Sequence, residues 1–200
     1  PYIDQINNMN IRQTQPIDCD NWLSYVEKTF ITDNVRLANE YLLKIINSNP
    51  EQIKHQNEYK YETLYAYVPI PINFISLEGA YQRPTSDSAV KTIVDSMKTW
   101  GYKTNKPVTM NHKGYLVDGK QRKAASIQMG YDCVPVTILK FASIYDEIRY
   151  FQDENKYKNA LTATEVLNVQ IQAKDIYALT AVKLFTDPSS LLCNKVDYNG

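Results

Sequence analysis

Between Tyr115 and Gly130 the chain reads YLVDGKQRKAASIQMG: an apolar run, an Asp-Gly pair, then helical spacing with no loop between. This junction constrains the fold more than any other stretch, because it requires a strand whose end is the start of a helix. Such a helix points the free amides of its first turn at the strand's end. Glycine there permits a left-handed turn and the close approach of an anion. Lys120, Arg122 and Lys123 add positive charge beside it. Three uses fit the pattern: a phosphate cradle, a redox site that has lost its cysteine, or a tight turn with a solvated basic face. Arg122 has the planar guanidinium suited to a two-point grip on phosphate oxygens. Asp118 can cap the helix, orient Arg122, or hold a Mg²⁺ that accompanies a polyphosphate. The nucleotide loops G-x-x-x-x-G-K-[ST] and G-x-G-x-x-G are absent from the sequence.

Twenty-two basic residues balance twenty-two acidic ones, which argues against indiscriminate nucleic-acid binding by the whole surface but leaves a local patch open. The 44% apolar content suits a packed chain, one domain or one domain with a helical extension. Cys19, Cys133 and Cys193 form no C-x-x-C pair, as expected of reduced thiols in a bacterial cytoplasm. His55 and His112 are isolated, so no metal site is expected. No apolar run approaches the roughly 20 residues of a membrane span, and no membrane partner is expected. The chain opens at Pro1 without Met, as expected of a fragment or processed form.

Residues 1–18 read as an arm. Asp20 is placed to cap a helix with Trp22, Leu23, Val26 and Phe30 inward, and Asp33 or Asn34 a second with Val35, Leu37, Ala38, Tyr41, Leu42, Ile45 and Ile46 inward. Residues 51–65 read as a linker, giving a helical extension over 1–65. A compact α/β unit over 66–140 follows, with the prolines of YVPIPINFISL confining any strand there to an edge or a start. It continues with a helix from the Ser/Asp cluster to Gly101, a hairpin across NHKG, the helix at 120–129 and the strand CVPVTIL. Over 141–200 the pattern is helical and packs on that unit, with a capping box at Thr162 and Glu165. Val166, Val169, Ile171, Ala173, Ile176, Leu179 and Val182 are its inward residues. The residues after Phe185 read as an irregular end.

The segment VDGKQRKAASIQMGYDCVPVTIL resembles the signature of the ParB/sulfiredoxin superfamily: a glycine, two variable residues, an arginine and an alanine, then a helix and a VPV strand. Here these are Gly119, Arg122, Ala125 and Val134-Pro135-Val136. It is most similar to the ParB N-terminal-like domains of phages and mobile elements, whose motif reads D-G-Q-H-R. YQRP and KPVTM upstream, and EIRYFQDENKYKNALTATE downstream, extend the resemblance over roughly 66–180 and leave the first 65 residues outside it. The resemblance implies a ParB/sulfiredoxin-like α/β (α+β) fold with a small mixed sheet. Lys120 stands where sulfiredoxins carry their catalytic cysteine, so redox chemistry is rejected. In ParB proteins the corresponding segment and an upstream arginine hold the triphosphate of CTP. Carried over, those roles fall to Gly119, Lys120, Gln121, Arg122 and Arg83. Gln121 replaces the first arginine of ParB's pair, Lys120 replaces the acid before it, and neither the partition role nor a CTP preference is implied.

Gln82 is a candidate contact to a base or sugar. Glu78 is a candidate catalytic carboxylate, since related kinases use a glutamate in that region, and Asp118 is a second. From Lys98 to Lys123 bases outnumber acids, interleaved with Trp100, Tyr102 and Tyr115. Lys103, Lys106, Lys113 and Lys123 are therefore candidate nucleic-acid contacts. Asp146, Glu147, Asp153 and Glu154 either offset that patch or ligate a nuclease metal, though their spacing matches no metal motif. The expectation is a phage or mobile-element ParB-like protein that binds a nucleoside triphosphate, ATP or CTP, with or without Mg²⁺, in a DNA-related or host-interference role. Any turnover would be phosphoryl transfer or hydrolysis. The alternatives are a non-catalytic scaffold that takes a protein partner through residues 1–50, and a metal-dependent DNase.

Overall fold

The computed structural model describes residues 21–75, 77–79, 81–82, 84–103, 105–156, 163–172, 174–186 and 188–189. Cys19, Asp20, Arg83, Thr162, Ala173, Cys193, the arm at 1–18 and the end from 190 lie outside them, as does the side chain of Val166. In chain order come α1 (Trp22–Thr29), α2 (Asp33–Asn47), α3 (Pro50–Glu58), β1 (Tyr61–Pro71), a 3-10 turn (Ile72–Phe74) and β2 (Leu77–Glu78). They are followed by α4 (Asp87–Trp100), β3 (Val108–Asn111), β4 (Tyr115–Asp118), α5 (Lys120–Gln128) and β5 (Cys133–Phe141). Last come α6 (Ile144–Lys156), α7 (Ala163–Gln172) and α8 (Ile176–Thr186).

The protein is α/β, with a mixed five-stranded sheet in the order β1-β5-β3-β4-β2. β1 runs antiparallel to β5, β5 parallel to β3, β3 antiparallel to β4, and β4 parallel to β2. Strand alternation divides the interior into two layers. Val134, Val136 and Ile138 of β5 join Val108, Met110 and Leu116 on one face, where Trp22, Val26 and Phe30 of the α1 region cover them. Leu139, Phe141 and Val117 point the other way, against Ile148 and Phe151 of α6. A third cluster, Val90, Val94, Met97 and Ala125, joins α4 to α5. The two helices beside the junction are thereby fixed to each other.

The proline-bearing strand β1 sits at the sheet edge, as its missing N–H groups require. Its register with β5 slips between Tyr65 and Val68, and Tyr67 takes φ 59°. At that bulge Ala66 exchanges both backbone groups with the buried Asn39 of α2. The Ala66 N–H donates to Oδ1 and Asn39 Nδ2 donates to the Ala66 carbonyl, each at 2.9 Å. A side-chain amide thus completes the ladder where the strand leaves it.

That contact corrects the expected inward face of α2 in part: Val35, Leu42 and Ile46 are partly buried on the Asn39 stripe, and the rest of the set is not. Leu37, Tyr41 and Ile45 are 68%, 70% and 53% exposed, and Ala38 is exposed too, because the inward stripe carries Asn39. The cap is Thr32, one residue ahead of the expected Asp33 or Asn34, with Oγ1 accepting from Val35 N at 3.4 Å. Residues 51–65 are not a linker: Asn49 caps α3 with Pro50 at its first position, and β1 begins at Tyr61. β1 therefore runs across residues 65–66. At the other end Lys174 (φ 56°) interrupts the helical run, and Ile176 and Leu179 are exposed, not buried as expected, whereas Val169 is buried.

Candidate nucleotide-phosphate site

The β4–α5 junction has the local geometry that its sequence demands. Gly119 is the N-cap of α5 at φ 97°, ψ 16°, and no side chain caps the helix through it. A Cβ at Gly119 would lie 3.0 Å from Arg122 Nη2 and 3.2 Å from the Cα of Val108, so glycine is required both for its backbone angle and for space. The first turn contains no acid. Lys120, Arg122 and Lys123 therefore crowd the positive end of a helix dipole, an arrangement that repels itself and favours an anion.

Each cation has a defined position. Arg122 is mostly buried, and its Nη2 donates to Asp118 Oδ2 and to the Pro107 carbonyl, both at 2.9 Å. Its Nε is buried with no hydrogen-bond partner among the described residues. Of the three roles open to Asp118, orienting Arg122 is the one these contacts give it. Lys120 pairs with Glu78 of β2 at 2.6 Å, which brings the expected glutamate to the loop from the neighbouring edge strand. Lys123 is half-buried. Burial lowers its pKa, the nearby Glu78 carboxylate works the other way, and the Lys120 charge adds to the lowering.

A small cleft of about 90 Å³ opens here, lined by Gln82, Pro84 and Ile93, by Asp118 to Arg122, and by Phe151 and Asn155 of α6. That volume holds a phosphate-sized group and falls short of the roughly 300 Å³ at which enclosed small-molecule pockets begin. Gln82 is committed to the scaffold, its Nε2 donating to the carbonyls of Leu116 (3.1 Å) and Val117 (2.7 Å). Arg83 lies outside the described residues. Phe151 and Asn155 were not among the expected site residues. Both lie in EIRYFQDENKYKNALTATE, a segment whose helical spacing marks α6 but not the face it turns to the loop.

The expected nucleic-acid contacts are not gathered on one surface. Lys103 and Lys106 are exposed on the α4–β3 loop beside Trp100, which is 75% exposed, at the Asp118 end of β4. Lys113 sits on the β3–β4 turn, at the other end of that hairpin. Of the acids expected to offset the patch, Asp146 and Glu147 are buried on α6. Among the described residues no group of three or more His, Cys, Asp or Glu is placed to hold a metal ion. Cys133 is a free thiol whose pKa is raised by burial and by the adjacent Asp132. Among the described residues no helix is long and apolar enough to cross a membrane.

No family model matches the chain, and no curated protein does. Among solved structures the chain is similar to a Pnob8-like ParB-N domain, at 15% identity and a TM-score of 0.45. The match covers 61% of this chain and 49% of that one, so it spans about half the length of the solved chain.

Proposed function

We propose that the cleft at the start of α5 binds the phosphates of a nucleoside triphosphate, ATP or CTP, and that the chain is a ParB-like protein of a phage or mobile element acting in a DNA-related or host-interference setting. The observation that carries the phosphate reading is a helix that opens on a left-handed glycine, without a side-chain cap, and with three bases and no acid in its first turn. A phosphate there would accept from backbone amides and share Lys120 with Glu78. Arg122, already engaged by Asp118 and Pro107, holds the loop in shape and offers its remaining donors. The cleft accommodates phosphate alone, so the nucleoside would lie outside it and the base would be weakly discriminated. Asp118 on the cleft wall faces Arg122, and Glu78 faces Lys120, so any Mg²⁺ would arrive on the triphosphate. Glu78 would be the carboxylate at hand if phosphoryl transfer or hydrolysis followed.

Calorimetry with ATP, CTP, GTP and ADP tests this on wild type, Lys120→Ala and Arg122→Ala. Loss of one charge-assisted contact is expected to weaken binding about tenfold or more. Absence of binding by wild type, or binding by both variants unchanged from wild type, would overturn it. A scaffold role also has a specific observation behind it, the exposed Leu37, Tyr41 and Ile45 at successive turns of α2. Leu37→Glu with Tyr41→Glu would then abolish association with a protein partner and leave nucleotide binding intact.

A further inference from the structure

We propose that a second cavity, between the β3–β4 hairpin and the first half of α6, is a ligand site for a small organic cation, an amine or amidinium carried on an apolar body. The cavity has a volume of about 490 Å³, within the range of small-molecule sites. Its apolar walls are Tyr115, Phe141, Ile144 and Ile148. At its polar end lies Glu147, 5% exposed, a carboxylate taken out of water with no ion-pair partner among the described residues. Its Oε1 accepts from the Tyr81 hydroxyl at 2.5 Å and its Oε2 from Asn111 Nδ2 at 2.8 Å.

Both donors are neutral, and a carboxylate has about four acceptor positions, so two remain for a ligand. Asn111 Oδ1 accepts from the backbone N–H groups of Lys113 and Tyr115, which leaves the side-chain amide fixed and unable to turn away. Beside it, His112 Nδ1 is buried with no hydrogen-bond partner among the described residues. Burial, reinforced by Lys113 and Lys140, favours the neutral imidazole, so this ring adds polarity without adding charge. Among the described residues the one cationic side chain on the cavity wall is Lys113, exposed on the hairpin turn. Burial raises the pKa of Glu147 against the pull of Tyr81, Asn111 and Lys113, as expected of a carboxylate short of counter-charge. An anion would be repelled by Glu147 and a purely apolar guest would leave it desolvated. A cation with N–H donors satisfies both the charge and the open acceptor positions.

Benzamidine, an amidinium on a flat apolar ring, is the probe, with neutral benzamide and anionic benzoate as controls. Calorimetry and backbone amide shift mapping should show saturable benzamidine binding at roughly millimolar or lower concentration. Shifts should centre on Lys113, Tyr115, Glu147 and Ile148, and Glu147→Gln should weaken binding about tenfold. Lys113→Ala, on an exposed turn, should tighten it up to about fivefold by removing a competing positive charge. The Lys113 variant keeps the test decisive if Glu147→Gln fails to fold. No saturable binding, equal binding of benzamide and benzamidine, or indifference to both substitutions would overturn the site and leave Glu147 as a staple between α6 and the hairpin.

Discussion

Gly119→Ala separates the two reasons for which glycine is needed at the head of α5. At φ 97° any residue with a Cβ is strained, by about 1–2 kcal/mol for a left-handed conformation. The added methyl would also lie 3.2 Å from Val108 Cα and 3.0 Å from Arg122 Nη2. Arg122 can swing, at the expense of its contacts with Asp118 and Pro107. Val108 cannot, because it is backbone of β3, paired with β5 in the sheet interior. Overpacking of this kind adds about 1–3 kcal/mol, so the total is about 2–5 kcal/mol. Gly130→Ala is the control: its φ is 72°, yet a Cβ there meets nothing within 4 Å, so the backbone penalty acts alone. Urea unfolding of both variants, read as midpoint shifts at constant slope, measures the difference. Gly119→Ala should be the more destabilising by about 1–3 kcal/mol and should also lose triphosphate binding. Equal penalties for the two substitutions would show that the close approach of loop to strand, and the positioning of Arg122 built on it, is wrong.

Asn39→Ala strips the Ala66 backbone of both partners and should destabilise by about 2–4 kcal/mol in the same assay, well beyond an exposed α2 substitution such as Tyr41→Ala. Arg122→Lys keeps the charge but cannot serve the Pro107 carbonyl and Asp118 together, so a loss of about 1–3 kcal/mol is expected, with little rescue relative to Arg122→Ala. Tyr59 and Tyr61 are pushed up to about 12, each mainly by burial, and Tyr81 and Tyr150 are also raised by burial. The folded state favours the neutral phenols, so their contribution to stability is complete below the ordinary value of 10.0 and is lost as pH rises through about 12. Absorbance titration should find these tyrosines un-ionised at pH 11 in native protein and ionised in urea. The chain has two tryptophans, Trp22 buried at 2% exposure and Trp100 at 75%, so quenching of fluorescence by single-stranded oligonucleotide would report the Trp100–Lys106 surface. Lys103→Ala with Lys106→Ala should reduce the salt slope by about 0.7 for each phosphate contact removed.

Local patterns in the chain were enough to place the β4–α5 junction, because each of its requirements is satisfied within a few residues. Gly119 must take positive φ, the apolar run must be a strand, and the bases must follow at once. The same holds for the prolines that put β1 at an edge and for the Ser86 cap and Gly101 end of α4. Tertiary structure decided what depended on distant partners. Glu78 meets Lys120 only because β2 adds to β4 in parallel, and Asn155 reaches the cleft only because α6 packs over Val117. The apolar residues of α2 offer more than one stripe to bury, and the bulge in β1 selected the one that brings Asn39 to Ala66, leaving Leu37, Tyr41 and Ile45 outside. Glu147 looks in sequence like a surface acid at a helix start. Its burial beneath Tyr81 and Asn111 joins residues 66 and 36 positions apart. Hydrophobic periodicity measures how a segment can bury itself, whereas the choice among faces is made by polar groups that must find partners elsewhere in the chain.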